Sequence, residues 1–389
     1  MRGHNIQFVL ALIQHYGPIS RPWLAQRSGL TKASITRIVQ LLSGIGLVEL
    51  DPCVDADTGG RPAELIRMKS GQFLSVGVDL RIDRWTILVR DLSGLELARE
   101  SFLPDPNAEA LRVLENIAET IKRLLQPLPH SLMGVGVAIG GSPSPDHKGI
   151  LDSPYLGWRD VDVEAILRRK LGAADLHCFV HDVASCAAEA NAAVVSADER
   201  ADLLHVQCGI GLGAGRPTPL NTALPDAFTT SYIGHLPFSA TETACPMCGW
   251  QGCVDAVLGF QALAQRTSSL GIEVLPQPDF IIRYCEALAA KWHAGDEVAT
   301  AMVRDLAHDL ARLIVLLIMM QKASVVTLGG WSSHLGQEFV ALVESIIRSN
   351  PLVADVRVDI SQLGDDASAV GAAILGAMEG VTRAVGRNG

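Results

Sequence analysis

The first fifty residues carry two apolar stretches at helical spacing, separated by turn signals. The first stretch comprises Phe8, Val9, Leu12 and Ile13, and the second comprises Ile35, Ile38, Val39 and Leu42. Between them, Gly17-Pro18 breaks the first helix, Ser20 can cap a short second helix, and Thr31 can cap the third. This order predicts a helix-turn-helix unit, whose last helix presents its N-terminal polar residues to the DNA major groove.

Two short apolar segments, residues 47–50 and 65–68, flank the loop 51–62 and predict the two strands of a wing. In that loop, Arg61 stands between Gly60 and Pro62, where a slim basic side chain can enter a narrow minor groove. The competing interpretation is that Arg61 only ends a surface loop. The predicted DNA-binding residues are Arg21, Lys32, Ser34, Thr36, Arg37 and Arg61.

Charge separates this head from the rest of the chain. Residues 1–48 contain no Asp or Glu, and residues 1–70 hold eight Lys and Arg against five Asp and Glu, a net +3, although the whole chain carries −10. A basic head on an acidic body favours a polyanionic partner such as double-stranded DNA. A chance solvated face, or a winged helix that binds protein, are the alternatives.

From residue 73 onward, strand and helix patterns alternate. Segments 73–79, 85–91, 133–139 and 203–208 are predicted strands, and 111–125 is a predicted amphipathic helix. Such alternation is typical of an α/β fold, and the length of 389 residues suggests two or three domains. We predict a head at 1–70, a first α/β lobe at 71–180 against which a closing helix 365–385 packs, and a second lobe at 181–364.

Four metal-binding side chains fall within nineteen residues: His235, Cys245, Cys248 and Cys253. Three thiolates and one imidazole suit a tetrahedral, structural Zn²⁺, and Gly249 supplies turn freedom. Buried free thiols are the competing interpretation. The remaining cysteines are scattered in apolar contexts, no signal peptide opens the chain, and the longest apolar run, 313–320, is too short for a membrane span. We therefore expect a cytoplasmic protein without membrane insertion.

The pattern G-H-x9-C-x2-C-G-x2-G-C resembles the zinc signature of the ROK family of repressors, open reading frames and sugar kinases. The stretch S-R-P-W-L-A-Q-R-S-G-L-T at 20–31, the Gly-Arg-Pro at 60–62, the glycine run 209–215 and Leu-Gly-Gly at 328–330 resemble other ROK elements. The resemblance implies a winged helix-turn-helix followed by a two-lobed, actin-like, sugar-kinase-like (ribonuclease H-like) body. The glycine run by itself is equally compatible with a purely structural turn.

The resemblance also implies a sugar pocket. Its predicted residues are Gly140, Gly141, His181, Asp182, Tyr232, His235 and Asp255. Asp182 would accept hydrogen bonds from sugar hydroxyls; the alternative is that it only caps the helix that follows it. Tyr232 could stack on a sugar or close the cavity.

ROK kinases place D-x-G-G-T after the first strand, whereas this chain has Asp79-Leu80-Arg81-Ile82-Asp83. Bulky Leu80 and Arg81 leave no cradle for ATP phosphates, and phosphoryl transfer depends on such positioning. We therefore expect no enzyme activity but a transcriptional regulator, most simply a repressor, that binds an inverted-repeat operator as a homodimer or tetramer and responds to a sugar. The alternatives are a ROK sugar kinase with a DNA-binding head, and a regulator controlled by a protein partner.

Overall fold

A computed structural model describes residues 2–52, 64–105, 108–128, 131–220, 233–240, 243–245, 247–273 and 279–388. The N-terminal head consists of three helices and a small antiparallel sheet in the order β1-β3-β2. Its elements are α1 (Arg2–Tyr16), β1 (Ile19–Ser20), α2 (Arg21–Ser28), α3 (Lys32–Gly44), β2 (Val48–Pro52) and β3 (Glu64–Met68). This is the element order that the winged helix-turn-helix prediction requires.

Local chemistry sets the ends of the two helices in the predicted motif. The Ser20 hydroxyl accepts from the Trp23 amide at 3.4 Å to cap α2, and the Thr31 hydroxyl accepts from the Ser34 amide at 3.2 Å to cap α3. Gly29 ends α2 with a φ of 69°, which glycine adopts without strain. The apolar stripe of α3 is buried in the head core, as its spacing predicts.

The first lobe is built on a five-stranded sheet in the order β11-β7-β4-β5-β6. Strand β5 pairs antiparallel with both β4 and β6. Strand β7 runs parallel to β4, and β11 runs parallel to β7. Its elements are β4 (Phe73–Leu80), β5 (Trp85–Asp91), β6 (Glu96–Phe102), α4 (Ala110–Leu125), β7 (Ser131–Ile139), β8 (Ser142–Pro143), β9 (Ile150–Ser153), β10 (Trp158–Val161), α5 (Val163–Leu171), β11 (Cys178–Asp182) and α6 (Val183–Ala192). The last strand of this sheet thus extends two residues beyond the predicted lobe boundary.

The second lobe has a four-stranded sheet in the order β13-β12-β14-β15, covered by long helices. Its elements are α7 (Ala197–Arg200), β12 (Leu203–Cys208), β13 (Leu212–Gly215), α8 (Val254–Leu258), α9 (Phe260–Arg266), α10 (Phe280–His293), α11 (Glu297–Gln321), β14 (Val325–Gly330), α12 (Trp331–His334), α13 (Gln337–Arg348) and β15 (Arg357–Ile360). A short 3-10 turn, Ile233–His235, precedes the cysteines. Among the described helices, none is long and apolar enough to cross a bilayer.

The closing helix α14 (Ala367–Asn388) returns to the first lobe and packs on β4 and β7. Glycines permit this close approach: a Cβ at Gly136 would lie 1.7 Å from the Ala372 carbonyl oxygen. Farther along the same helix, Ala377 and Val381 belong to the apolar core of the head. One helix therefore contacts both the first-lobe sheet and the head.

Candidate metal cluster and interlobe cleft

The four predicted metal ligands lie together. Their ligand atoms, from His235, Cys245, Cys248 and Cys253, all lie within 4.8 Å of one another. Cys245 and Cys253 are buried and Cys248 is exposed. The Cys245 amide donates to the Trp250 carbonyl at 2.7 Å, and the Gly249 amide donates back to the Cys245 carbonyl at 2.9 Å, which folds the segment into a tight loop.

This donor set fits a metal ion. In a tetrahedral zinc site with Zn–S of about 2.3 Å, ligand atoms lie roughly 3.3–3.8 Å apart, and Cys245 Sγ is 3.8 Å from His235 Nδ1. Gly249, with a φ of 73°, adopts a conformation that a side chain would strain. The cluster could therefore hold one metal ion with four protein ligands.

The metal cluster borders a cleft between the lobes through His235 and Asp255. His235 Nδ1 lies 3.9 Å from Asp255 Oδ2, and the same carboxylate oxygen accepts from the Tyr155 hydroxyl at 3.2 Å. Its other oxygen accepts from the Leu212 amide at 2.8 Å. Burial raises the pKa of Asp255 above its ordinary value, against the opposing effect of the Leu212 hydrogen bond. Asp255 thus joins the first-lobe Tyr155 to the second lobe.

Asp182, at the end of β11, is held from two sides. Its Oδ1 accepts from the Ser185 amide at 2.9 Å and caps α6, and its Oδ2 lies 2.7 Å from His181 Nδ1. The helix-cap role considered from the sequence is therefore present, while Asp182 also lines the cleft. Burial alone would raise its pKa, but hydrogen bonds from His181 and Ser185 hold it below the ordinary value.

His181 does not line the cleft. It is 1% exposed, its ring centroid lies 5.1 Å from that of His147, and its Nε2 has no hydrogen-bond partner. The structure therefore assigns it contact with Asp182 rather than a position facing a ligand. Gly140 and Gly141 do line the cleft, and a Cβ at Gly141 would lie 2.3 Å from the Asp152 carbonyl oxygen.

The turn after β4 is filled by charged side chains. Arg81 lies 3.4 Å from Asp83, 3.7 Å from Asp79 and 3.3 Å from Asp365, which belongs to the turn before α14. Asp365 also pairs with His334 at 3.0 Å. A network of ion pairs therefore fills the turn after β4.

Burial sets the protonation behaviour of this network. It raises the pKa of Asp79 to about 6, against the opposing attraction of Arg81 and a 2.7 Å hydrogen bond from Ser368. Burial would also raise the pKa of Asp365, but the hydrogen bond from His334 and the charge of Arg81 lower it to about 2. The two carboxyls therefore differ strongly in acidity.

Comparison with known proteins identifies the family of this chain. The ROK family model matches residues 75–379, well over half of the chain. The chain belongs to the ROK family. The match confirms the resemblance drawn from the zinc-type signature and the glycine runs.

Relatives of this ROK chain extend over nearly its full length. The DNA-binding transcriptional dual regulator NagC of Escherichia coli is 29% identical over 384 residues, covering 95% of this chain and 91% of the relative. A xylose repressor from Caldicellulosiruptor bescii is 23% identical, covering 94% of each chain.

Solved structures confirm the two-lobed, sugar-kinase-like fold of the body. A ROK family transcriptional regulator, described as a homolog of the E. coli Mlc protein, matches with a TM-score of 0.79 at 20% identity, covering 100% of this chain and 99% of that one. A ROK glucokinase from Streptomyces griseus, solved with glucose and AMPPNP, matches with a TM-score of 0.61 at 22% identity, covering 78% of this chain and 99% of that one.

The predicted DNA-binding residues of the head fall into two groups. Lys32, Thr36 and Arg37 are exposed on α3, and Ser34 is half-buried beside the cap. The Thr36 hydroxyl donates to the Lys32 carbonyl at 2.9 Å. Arg21 already pairs with Glu64 at 2.5 Å, so a phosphate would have to compete with that carboxylate.

Two predicted site residues, Arg61 and Tyr232, lie outside the described residues. Conversely, the lining of the cleft includes polar residues that were not predicted from the sequence, among them Tyr155, His334 and Asp365. Tyr155 stands 100 positions before Asp255 in the chain and carries no local motif. Only the closure of the lobes brings these side chains to the cleft.

Proposed function

We propose that this chain is a DNA-binding transcriptional repressor whose interlobe cleft senses a sugar and carries no kinase activity. The observation that carries this proposal is the extent of similarity. The regulator structure and NagC cover 100% and 95% of this chain, head included, whereas the glucokinase covers 78%. Relatives named for N-acetylglucosamine and xylose support a carbohydrate effector.

The first-lobe turn supports a non-enzymatic role. In the position of a phosphate cradle, Arg81 is engaged by three carboxylates, and the buried Asp83 adds negative charge. An incoming polyphosphate would have to displace these pairs and meet like charges. Asp182, which would be the catalytic base of a kinase, serves here to orient sugar hydroxyls.

The His/Cys cluster supports a structural Zn²⁺. Three sulfurs and one imidazole match zinc better than Mg²⁺ or Ca²⁺, and four protein ligands leave no open position for a reacting water. By holding His235 beside Asp255, the ion would stabilise one edge of the sugar pocket. Gly140, Gly141, Asp182, His235, Asp255 and the undescribed Tyr232 are the proposed ligand-binding residues, with His181 supporting Asp182.

Helix α14 offers a route from the cleft to the DNA. At its start, the Ser368 hydroxyl donates to the buried Asp79 at 2.7 Å, and the preceding Asp365 contacts Arg81. Further along, Ala377 and Val381 pack in the head core. A sugar that changes lobe closure would therefore move or stiffen a helix that touches the head, with a coupling of roughly 1–3 kcal/mol.

The proposed DNA contacts are made by Lys32, Ser34, Thr36 and Arg37 on α3, with Arg21 and Arg61 at the flanks. One recognition helix reads few bases, so we propose a homodimer or tetramer on an inverted repeat. Arg37→Ala should weaken operator binding and reduce the salt slope by about one if Arg37 contacts phosphate. The control Arg304→Ala removes an exposed charge from α11 of the body and should leave DNA binding unchanged.

The test combines two assays on the full chain. Genomic fragment selection followed by quantitative gel shift with and without N-acetylglucosamine or xylose should yield an operator whose affinity depends on a sugar. A coupled assay with ATP, Mg²⁺ and the same sugars should detect no phosphorylation. Sugar-dependent ATP turnover would favour the kinase alternative, and sugar-independent operator binding would remove the sensing role.

A further inference from the structure

The lining of the interlobe cleft is strongly unbalanced in charge. The described lining contains four carboxylates, and Arg81 is its one Lys or Arg. The four are Asp83, Asp182, Asp255 and Asp365. An anionic ligand would therefore be repelled on entry, whereas carboxylates accept hydrogen bonds from neutral hydroxyls.

Arg81 is not available to offset this charge. Its guanidinium lies within 3.7 Å of three carboxylates, and its side chain is only 12% exposed. A phosphate at Arg81 would have to compete with Asp79, Asp83 and Asp365 for the guanidinium. Breaking buried pairs in this way is strongly unfavourable.

Isoleucines also line the cleft. Ile82 lies in the turn after β4, and Ile281 and Ile282 lie in the first turn of α10. These two segments are adjacent because Arg84, two residues after Ile82, lies 3.8 Å from Asp279 just before α10.

We propose that the effector is an uncharged glycoside: a neutral sugar ring at Asp182 and Asp255, with an apolar aglycone against Ile82, Ile281 and Ile282. This inference rests on the proposed sugar-sensing function and narrows its ligand class. Phosphorylated sugars are excluded by the carboxylates of the lining.

Titration calorimetry on the full, metal-loaded chain tests this with matched probes. The probes are N-acetylglucosamine, its 6-phosphate and its phenyl β-glycoside, and, as a second series, xylose and phenyl β-xyloside. In the series that binds, the phenyl glycoside should bind at least about tenfold more tightly than the free sugar, because its ring is buried against isoleucines. The 6-phosphate should bind at least about tenfold more weakly than N-acetylglucosamine.

Two variants test the aglycone contact and the exclusion of phosphorylated sugars separately. Ile282→Ser should reduce phenyl glycoside affinity by roughly threefold to tenfold while leaving free-sugar affinity unchanged. Asp83→Asn should raise affinity for the 6-phosphate relative to the neutral sugar, and the exposed Asp305→Asn on α11 is the charge-matched control. If Asp83→Asn does not fold, Asp365→Asn removes a charge from the same network.

The outcomes are distinguishable. Tighter binding of the 6-phosphate than of the neutral sugar would overturn this inference and leave sugar sensing intact. Equal affinity for free sugar and phenyl glycoside would overturn the aglycone assignment. No binding of any probe, with operator binding retained, would remove the proposed sensing function and this inference together.

Discussion

Two strand-end turns face the same cleft, and they differ in what fills them. After β12, the glycine-rich segment 209–215, which runs into β13, is closely packed at its far end: a Cβ at Gly215 would lie 2.6 Å from Ser185 Cα. After β4, the segment 80–83 carries Leu80, Arg81 and Asp83, and ion pairs hold it. The segment after β12 has glycines because neighbouring atoms lie close to its backbone. The turn after β4 carries larger side chains, whose charges pair with one another beside it.

A glycine-rich turn therefore need not indicate a phosphate site. A Cβ at Gly211 would come within 3 Å of the Tyr155 hydroxyl and the Asp255 carboxylate, and a Cβ at Gly213 would lie 2.9 Å from the Ala184 Cβ. Packing between elements is thus sufficient to require these glycines. The chemistry of the cleft is better inferred from the turn after β4, which has no glycines.

The strongest effect is expected on the second-lobe wall, where the proposed metal ligand His235 lines the cleft. Cys253→Ala should abolish stoichiometric zinc binding and lower the thermal unfolding midpoint, because metal binding contributes directly to folding free energy. Elemental analysis per chain is the measurement. Cys285→Ala, which removes a buried thiol far from the cluster ligands in sequence, should keep about one zinc per chain. Full zinc content in Cys253→Ala would contradict the ligand assignment.

Arg81→Ala tests the opposite wall. It should lower the free energy of unfolding by about 3–5 kcal/mol, because it leaves buried carboxylates without their counter-charge. Chemical denaturation at neutral pH measures this loss. Arg123→Ala breaks an exposed ion pair with Glu100 and should change stability little. Equal effects of the two substitutions would mean that the network around Arg81 contributes no more than a surface pair.

The pH dependence of stability probes the same turn through Asp79. Burial raises the pKa of Asp79 to about 6, so its contribution is fully present below the ordinary carboxyl pKa and is lost as pH rises through about 6. The loss is at most about 3 kcal/mol at roughly 1.4 kcal/mol per pKa unit. Asp79→Asn, which stays neutral, should therefore gain stability relative to the parent between about pH 4 and pH 7. A constant difference across that range would refute the assignment.

A weaker effect is expected from the packing of the glycine run. Gly215→Ala should cost about 1–3 kcal/mol of unfolding free energy, because its Cβ would overlap the backbone of α6. Gly209→Ala is the control, since its Cβ would come no nearer than 3.4 Å to the Gly211 carbonyl oxygen. Denaturation midpoints of the two variants give the comparison. Loss of stability in both to the same extent would argue against packing as the reason for these glycines.

Local patterns were sufficient for the elements and for the metal cluster. The strands β5 and β12 coincide with the predicted segments, and the caps Ser20 and Thr31 act as expected. The cluster of His235 and three cysteines was predictable because its ligands lie within one short stretch of chain. In each case the residues that decide the structure are close in sequence, so spacing carries the information.

The contacts in the cleft could not be predicted from local sequence patterns. The residue order alone reveals that the turn after β4 lacks glycines. The folded chain is needed to show that Arg81 is held by Asp365, 284 positions later, and that Tyr155 meets Asp255. Contacts between distant segments depend on how the sheets and helices pack, and no local pattern encodes that arrangement.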